Sequence, residues 1–225
     1  MERPQNYDTL TKLYISRKGL TELPFWISQC HNLKELYCDS NKIIHLNNLP
    51  PTIEILNCSN NNITKIDNLP PILKQLYCSY NQIIQLDNLP PTLKELYCTN
   101  NQIIQLDNLP LTLETLRCSD NKITQIDNLL PRLKELYCTN NKITQLNNLP
   151  QTLKLLYCHN NQITQLNNLP LTLKELSCEN NEIANLDNLP ETVNSLRCTQ
   201  NPFKYEFELT LENIKNYNNQ NKLLT

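Results

Sequence analysis

The chain has 225 residues, a formal charge of −2 and 39% hydrophobic residues, enough for the core of one large domain or two small ones and unlike a disordered chain. With charge so nearly balanced there is no long-range field to attract nucleic acid or an anionic membrane, so neither is expected as a partner, and recognition must work through local shape and chemistry. A single glycine, Gly19, excludes P-loop and dinucleotide fingerprints and leaves little of the usual material for tight left-handed turns.

In chain order, MERPQNYDTLTKLY has no apolar h-region, and no apolar run approaches the roughly 18 residues of a membrane helix, so a soluble, unexported protein is expected. Residues 1–32 read as an N-terminal cap and an atypical first repeat. The copy LTKLYISRKGLTELPFWISQCHN is longer than those after it and has Lys18 where they have asparagine, as a capping repeat does.

Residues 33–203 repeat with a period of 20. Leu36, Leu56, Leu76, Leu96, Leu116, Leu136, Leu156, Leu176 and Leu196 share a column, and a cysteine follows each by two, from Cys38 to Cys198. Three residues on, Asn41, Asn61, Asn81, Asn101, Asn121, Asn141, Asn161, Asn181 and Asn201 form an unbroken column; isoleucine follows by two from Ile43 to Ile183, and Phe203 replaces it last. In ELYCT the alternation sends Leu96 and Cys98 to one face and Glu95, Tyr97 and Thr99 to the other, which predicts a short half-buried strand. Stacking these strands in parallel would join Leu93, Leu96, Cys98, Ile103, Leu106 and Leu109 to their neighbours in one apolar column, since a single copy has too little apolar surface to fold. Parallel crossovers make the coil right-handed, and ten strands at about 4.8 Å give a sheet some 45 Å long. The asparagine column is predicted to be a structural ladder, its amides satisfying backbone groups that the bend after each strand leaves unpaired. Leucine before proline in DNLPPTL favours an extended, narrow back and gentle curvature.

After Asn201 the rhythm stops. The spacing of Phe203, Phe207, Leu211, Ile214 and Tyr217 predicts a helical face, so residues 204–225 are read as a C-terminal cap, helical with a flexible end, over the exposed end of the apolar column.

The stretch LxxLxCxxNxI, held without insertion through nine copies, resembles the leucine-rich repeat family, with cysteine where that family more often has leucine. The resemblance implies a repeat solenoid: a right-handed coil with one parallel β-sheet face, a mostly extended, polyproline or short 3₁₀ back, and terminal caps. The phrase LPPTLKEL is similar to the 20-residue class in bacterial effectors, some of which add a ubiquitin-ligase domain; the chain after Phe203 is too short for one, so that activity is not carried over. NKITQIDNL resembles phosphatase-regulating members, whose repeat is typically two residues longer. The combined spelling is most similar to uncharacterised leucine-rich repeat proteins of giant, mimivirus-type viruses, which would place the protein in a host cytoplasm or a virion.

Cysteines twenty residues apart on parallel strands would keep Cβ atoms near 4.8 Å, longer than the roughly 3.8 Å of a disulfide, and no CxxC pair is present. They read as small apolar core residues in a reducing, cytoplasmic setting, and no metal or cofactor is expected. His31, His45 and His159 fall in different repeats, and no nucleophile, base and orienting group share a register, so no catalytic residues are assigned and an enzyme is not expected. Binding is expected on the outward strand face, where the column between leucine and cysteine reads Tyr37, Asn57, Tyr77, Tyr97, Arg117, Tyr137, Tyr157, Ser177 and Arg197. Tyrosine and arginine are enriched where binding energy concentrates, and Arg117 between Tyr97 and Tyr137 is placed for cation–π stacking; the same rings could equally serve the sheet itself. Tyr37, Tyr77, Tyr97, Arg117, Tyr137, Tyr157 and Arg197 are therefore the candidate contacts for a protein partner. Lys34, Lys74, Lys94, Lys134, Lys154 and Lys174 beside Glu35, Glu95, Glu135 and Glu175 read as a solubilising border. Asp120, His159 and Glu179 break their columns. Asp67, Asp87, Asp107, Asp127 and Asp187 form an acidic row at the back corner, where side-chain hydrogen bonding of the turn suits them better than calcium. The function expected is a non-enzymatic protein-binding scaffold, with a regulatory or adaptor subunit of a phosphatase or ubiquitin-ligase complex as the alternative.

Overall fold

The computed structural model describes residues 2–126 and 130–222. Ten strands stack in chain order into one parallel sheet: β1 (Lys12–Tyr14), β2 (Glu35–Tyr37), β3 (Ile55–Asn57), β4 (Gln75–Tyr77), β5 (Glu95–Tyr97), β6 (Thr115–Arg117), β7 (Glu135–Tyr137), β8 (Leu155–Tyr157), β9 (Glu175–Ser177) and β10 (Ser195–Arg197). Between β2 and β10 the register follows the 20-residue period without slippage, Leu76 opposite Leu96 and Tyr77 opposite Tyr97, so like residues of successive copies are neighbours in space. Each strand is three residues long because the chain must turn into the coil on both sides. The central leucine is buried in every strand from β2 to β9, and its two companions lie on the other face.

One continuous core runs through the coil, built from the leucine, cysteine and isoleucine columns, with Leu96, Cys98 and Ile103 all fully buried. All ten cysteines are free and buried. No helix occurs on the back of the described turns between β2 and β10; among the described residues the only helices are a 3₁₀ helix at Phe25–Gln29 in the first connection and α1 (Leu211–Lys222). Most backs instead end in a tight turn at proline, where Leu93 N–H donates to Pro90 O at 3.0 Å and Leu73 N–H to Pro70 O at 3.1 Å; before β7 the acceptor is Leu130 O, at 2.9 Å from Leu133 N–H. In the turns at Pro90 and Pro70 a second proline, Pro91 or Pro71, presets the backbone angle that the second position needs.

The inference from glycine scarcity needs correction, because left-handed turns occur twice in most repeats. Asn60, Asn100, Asn140, Asn160 and Asn180 have φ between 50 and 57° just after the strand, and Asn48, Asn68, Asn88, Asn108, Asn148 and Asn168 repeat this at the back corner. Asparagine tolerates this region because its short polar side chain bonds locally, so it does here what glycine does elsewhere. Tyr80, at φ 55°, pays more for the same geometry.

The C-terminal cap also differs in part. Helix begins only at Leu211; Phe203, Tyr205 and Phe207 lie on a non-helical segment and stack with ring centroids 5.7 and 4.8 Å apart. Their spacing of two, an extended pattern, governs this stretch rather than the spacing of four between Phe203 and Phe207. From α1, Ile214 is fully buried, and Asn218 donates through Nδ2 to Leu186 O at 2.8 Å.

Candidate functional site: the outer strand face

Because the register holds like residues opposite one another, the column between leucine and cysteine becomes a row of side chains across the sheet. Tyr77 and Tyr97 stack with centroids 4.4 Å apart and planes 19° apart; Tyr137 and Tyr157 do so at 4.8 Å and 11°. Arg117 bridges the pairs, its guanidinium carbon 5.2 Å from the Tyr97 centroid and 4.3 Å from that of Tyr137. Five strands thus carry one unbroken π–π–cation–π–π stack from Tyr77 to Tyr157. Tyr14 of β1 extends the row at its other end, stacking on Tyr37 at 4.8 Å. Tyr14 lies outside the column expected from the sequence, because the first repeat is longer and its columns fall out of phase. Asn57 and Ser177 interrupt the row, and Arg197 stands beyond the second gap.

The stack is fixed from its polar ends. Tyr97 donates to Glu95 Oε2 at 3.1 Å, Tyr37 to Glu35 Oε2 at 3.0 Å and Tyr157 to Glu175 Oε2; Arg117 pairs with Glu135 at 3.8 Å. Desolvation first, and then the Glu95 carboxylate, push the Tyr97 phenol up to about 12. For Tyr157 the hydrogen bond to Glu175 is the leading cause, with the same result of about 12. All these rings are therefore neutral across the physiological range, and the one formal charge in the stack is that of Arg117. Its Nε is buried with no hydrogen-bond partner among the described residues, so the negative faces of two rings are its compensation.

The lysine and glutamate border turns out to be a cross-strand ion-pair row. Glu54 takes Lys74 and, at 3.5 Å, Lys34; Glu114 takes Lys134 and, at 4.0 Å, Lys94. Glu54 and Glu114 stand outside the border expected from the sequence, although the sign change they make within the lysine column at 20-residue spacing is visible there. Lys154 and Lys174 form no ion pair among the described residues. His159 meets Ser177 Oγ at 3.0 Å through Nδ1, Glu179 accepts from Thr199 at 3.1 Å, and Asp120 accepts from Asn140 at 2.7 Å.

Behind the sheet, the asparagine column ties each turn to the one before it. Asn101 Nδ2 donates to Cys98 O of its own turn at 3.0 Å and to Cys78 O of the preceding turn at 3.1 Å, while its Oδ1 accepts from Ile83 N–H at 3.0 Å. The same bonds recur at Asn61, Asn81, Asn121, Asn141, Asn161, Asn181 and Asn201; in the first turn Asn41 Oδ1 accepts instead from Lys18 and Leu20 N–H. A second ladder, absent from the sequence expectations, runs through the threonines. The hydroxyls of Thr52, Thr92, Thr112, Thr152, Thr172 and Thr192 cap a leucine carbonyl of the previous turn at 2.7 to 2.8 Å. Its signal, a threonine column, is diluted by Ile72 and Arg132.

In the acidic row, Asp67 pairs with Lys65 at 3.1 Å, Asp87 accepts from Gln85 at 2.8 Å and Asp187 accepts from Tyr205 at 3.0 Å. Asp127 lies outside the described residues. No group of three or more histidine, cysteine, aspartate or glutamate side chains that could hold a metal ion occurs among the described residues.

A stacked parallel sheet, an inward asparagine ladder and a 20-residue period together define a leucine-rich repeat solenoid. The family model described as Leucine Rich repeats (2 copies) matches residues 111–151. YopM from Yersinia enterocolitica WA-314 is similar at 32% identity with a TM-score of 0.77, over 87% of this chain and 48% of its own, so the chain spans about half the length of that protein. YopM from Yersinia pestis, described as a leucine-rich effector protein, gives 28% identity and a TM-score of 0.74 over 85% of this chain and 61% of its own. The functional domain of InlJ from Listeria monocytogenes, described as including a cysteine ladder, gives 25% identity and a TM-score of 0.60 over 91% of this chain and 56% of its own. No curated protein matches the chain.

Proposed function

We propose that the chain is a non-enzymatic protein-interaction scaffold that takes its partner on the outer strand face, with Tyr37, Tyr77, Tyr97, Arg117, Tyr137, Tyr157 and Arg197 as the contact row. The observation that carries this reading is the five-residue stack from Tyr77 to Tyr157. Aromatic rings and a guanidinium already fixed by one another offer a large, partly apolar surface that loses little side-chain entropy on binding. Stacking also supports the sheet, and a surface that is rigid for that reason is better prepared to bind. The likeness to YopM, itself described as an effector, agrees with a scaffold role. The ten free, buried thiols suit a reducing compartment, a host cytoplasm or virion if the source is a giant virus.

Affinity capture from a eukaryotic cytosol tests the proposal by comparing the wild-type chain with the double variant Tyr97→Ala plus Tyr137→Ala. The variant should stay folded and lose at least tenfold in recovery of the principal partner. A folded variant that keeps every partner removes the strand face from consideration, and turnover by the purified chain overturns the non-enzymatic reading. Recovery of a phosphatase or ubiquitin ligase as principal partner would narrow the scaffold to a regulatory or adaptor subunit.

A further inference from the structure

The gap in the row at Ser177 has its own geometry. Within the stack the planar groups repeat at 4.3 to 5.2 Å, close to the strand separation, so one flat group per strand fills the row. On β9 that place holds Ser177, whose side chain stops at a hydroxyl and is bonded to His159. Tyr157 and Arg197 stand on either side, two strands or about 9.6 Å apart, which is the space that one more planar group needs. A cavity of about 110 Å³ lies there, lined by Tyr157, Glu175, Leu176, Ser177, Ser195 and Arg197.

The two walls are not alike. Tyr157 already has Tyr137 on its far face, and its hydroxyl is held by Glu175. Arg197, unlike Arg117 in the same column, forms no ion pair and lies over no ring among the described residues.

The geometry points to a slot that takes one aromatic side chain of a partner protein, a tryptophan or tyrosine, between Tyr157 and Arg197. An aromatic ring satisfies both walls at once, stacking on Tyr157 and receiving the Arg197 guanidinium on its other face. A partner guanidinium would meet Arg197 as a like charge, and an aliphatic group would forgo both interactions. The Glu175 carboxylate and the Ser195 hydroxyl at the rim can accept a hydrogen bond, which favours a ring carrying a donor, such as an indole N–H or a phenol. The same carboxylate opposes a ligand that brings phosphate. The slot deepens the strand-face proposal and rests on it for the identity of the ligand as a protein side chain.

Backbone-amide NMR titration of the full chain with N-acetyl-tryptophanamide and N-acetyl-tyrosinamide tests the slot directly, with N-acetyl-leucinamide and adenosine as controls. The aromatic amides should shift Tyr157, Ser177, Ser195 and Arg197 and leave the controls at least several-fold weaker. S177Y should bind at least tenfold more weakly, because it places the column's own ring in the slot; tyrosine occupies this column on β2, β4, β5, β7 and β8, so the fold accepts it. R197A, an exposed change, should weaken binding several-fold and serves if S177Y does not fold. Equal binding of leucinamide or adenosine, or unchanged aromatic binding in a folded S177Y or R197A chain, overturns the slot. Such a failure leaves the strand-face proposal standing, since that proposal is decided by partner loss at Tyr97 and Tyr137.

Discussion

Asn101 shows how much one side chain carries here. Its replacement by alanine leaves Ile83 N–H without its partner inside the coil, whereas Cys78 O and Cys98 O each lose one of two amide donors and keep those of Asn81 and Asn121, at 3.1 and 3.0 Å. At about 1–3 kcal/mol for one buried donor left unsatisfied, the loss should be roughly 1–3 kcal/mol, read as a lower guanidinium midpoint. A cost under about 1 kcal/mol would show that water replaces the amide and that the ladder is not structural. The cysteines set a pH limit in the same way. Burial pushes Cys58, Cys98 and Cys158 up from 9.0 to about 12. Below the lower value these thiols are protonated in both states. Above it the unfolded chain ionises first, so stability should fall across the window from about pH 9 to about 12. Thermal melts at rising pH check this, and a melting temperature that stays flat through that window contradicts it. The asparagine column was legible because it is unbroken. The left-handed role of Asn60 and Asn68 was not, since spelling alone does not separate an asparagine that bonds inward from one that takes glycine's backbone angle.

Among the elements, the strands were the most readable, because alternation in ELYCT and the constant period leave one register that buries every leucine. The tail was the least readable. Spacings of two and four both fit PFKYEFEL, and Tyr205 decides between them: its hydroxyl accepts from Leu186 N–H at 2.6 Å and donates to Asp187 Oδ1 at 3.0 Å, closing the last turn from outside. Tyr205→Phe should therefore destabilise the C-terminal turns by about 1–3 kcal/mol, seen as faster hydrogen exchange near Leu186 with little change at β2 to β4. Exchange that quickens equally along the chain would mean that the cap does not act locally. The row from Tyr77 to Tyr157 was legible as a column of residue types. Its division by Ser177 into a filled stack and an open slot needed the positions of Arg197 and His159.

At the scale of the whole molecule, the coil is a stack in which each turn borrows its interior from the next, through leucine, cysteine and isoleucine in the core and asparagine and threonine at the bends. The outer face of that stack is free to vary, and there the row of rings and guanidinium groups sits. Thiol labelling of the intact folded chain at neutral pH, resolved cysteine by cysteine by mass spectrometry, tests the shared interior most directly. Cys38 through Cys178 should stay unlabelled, Cys198, pushed only to about 11 and lying on the last strand's turn, should react first, and all ten should react in denaturant. Ready labelling of Cys98 or Cys118 in the folded chain would contradict the account.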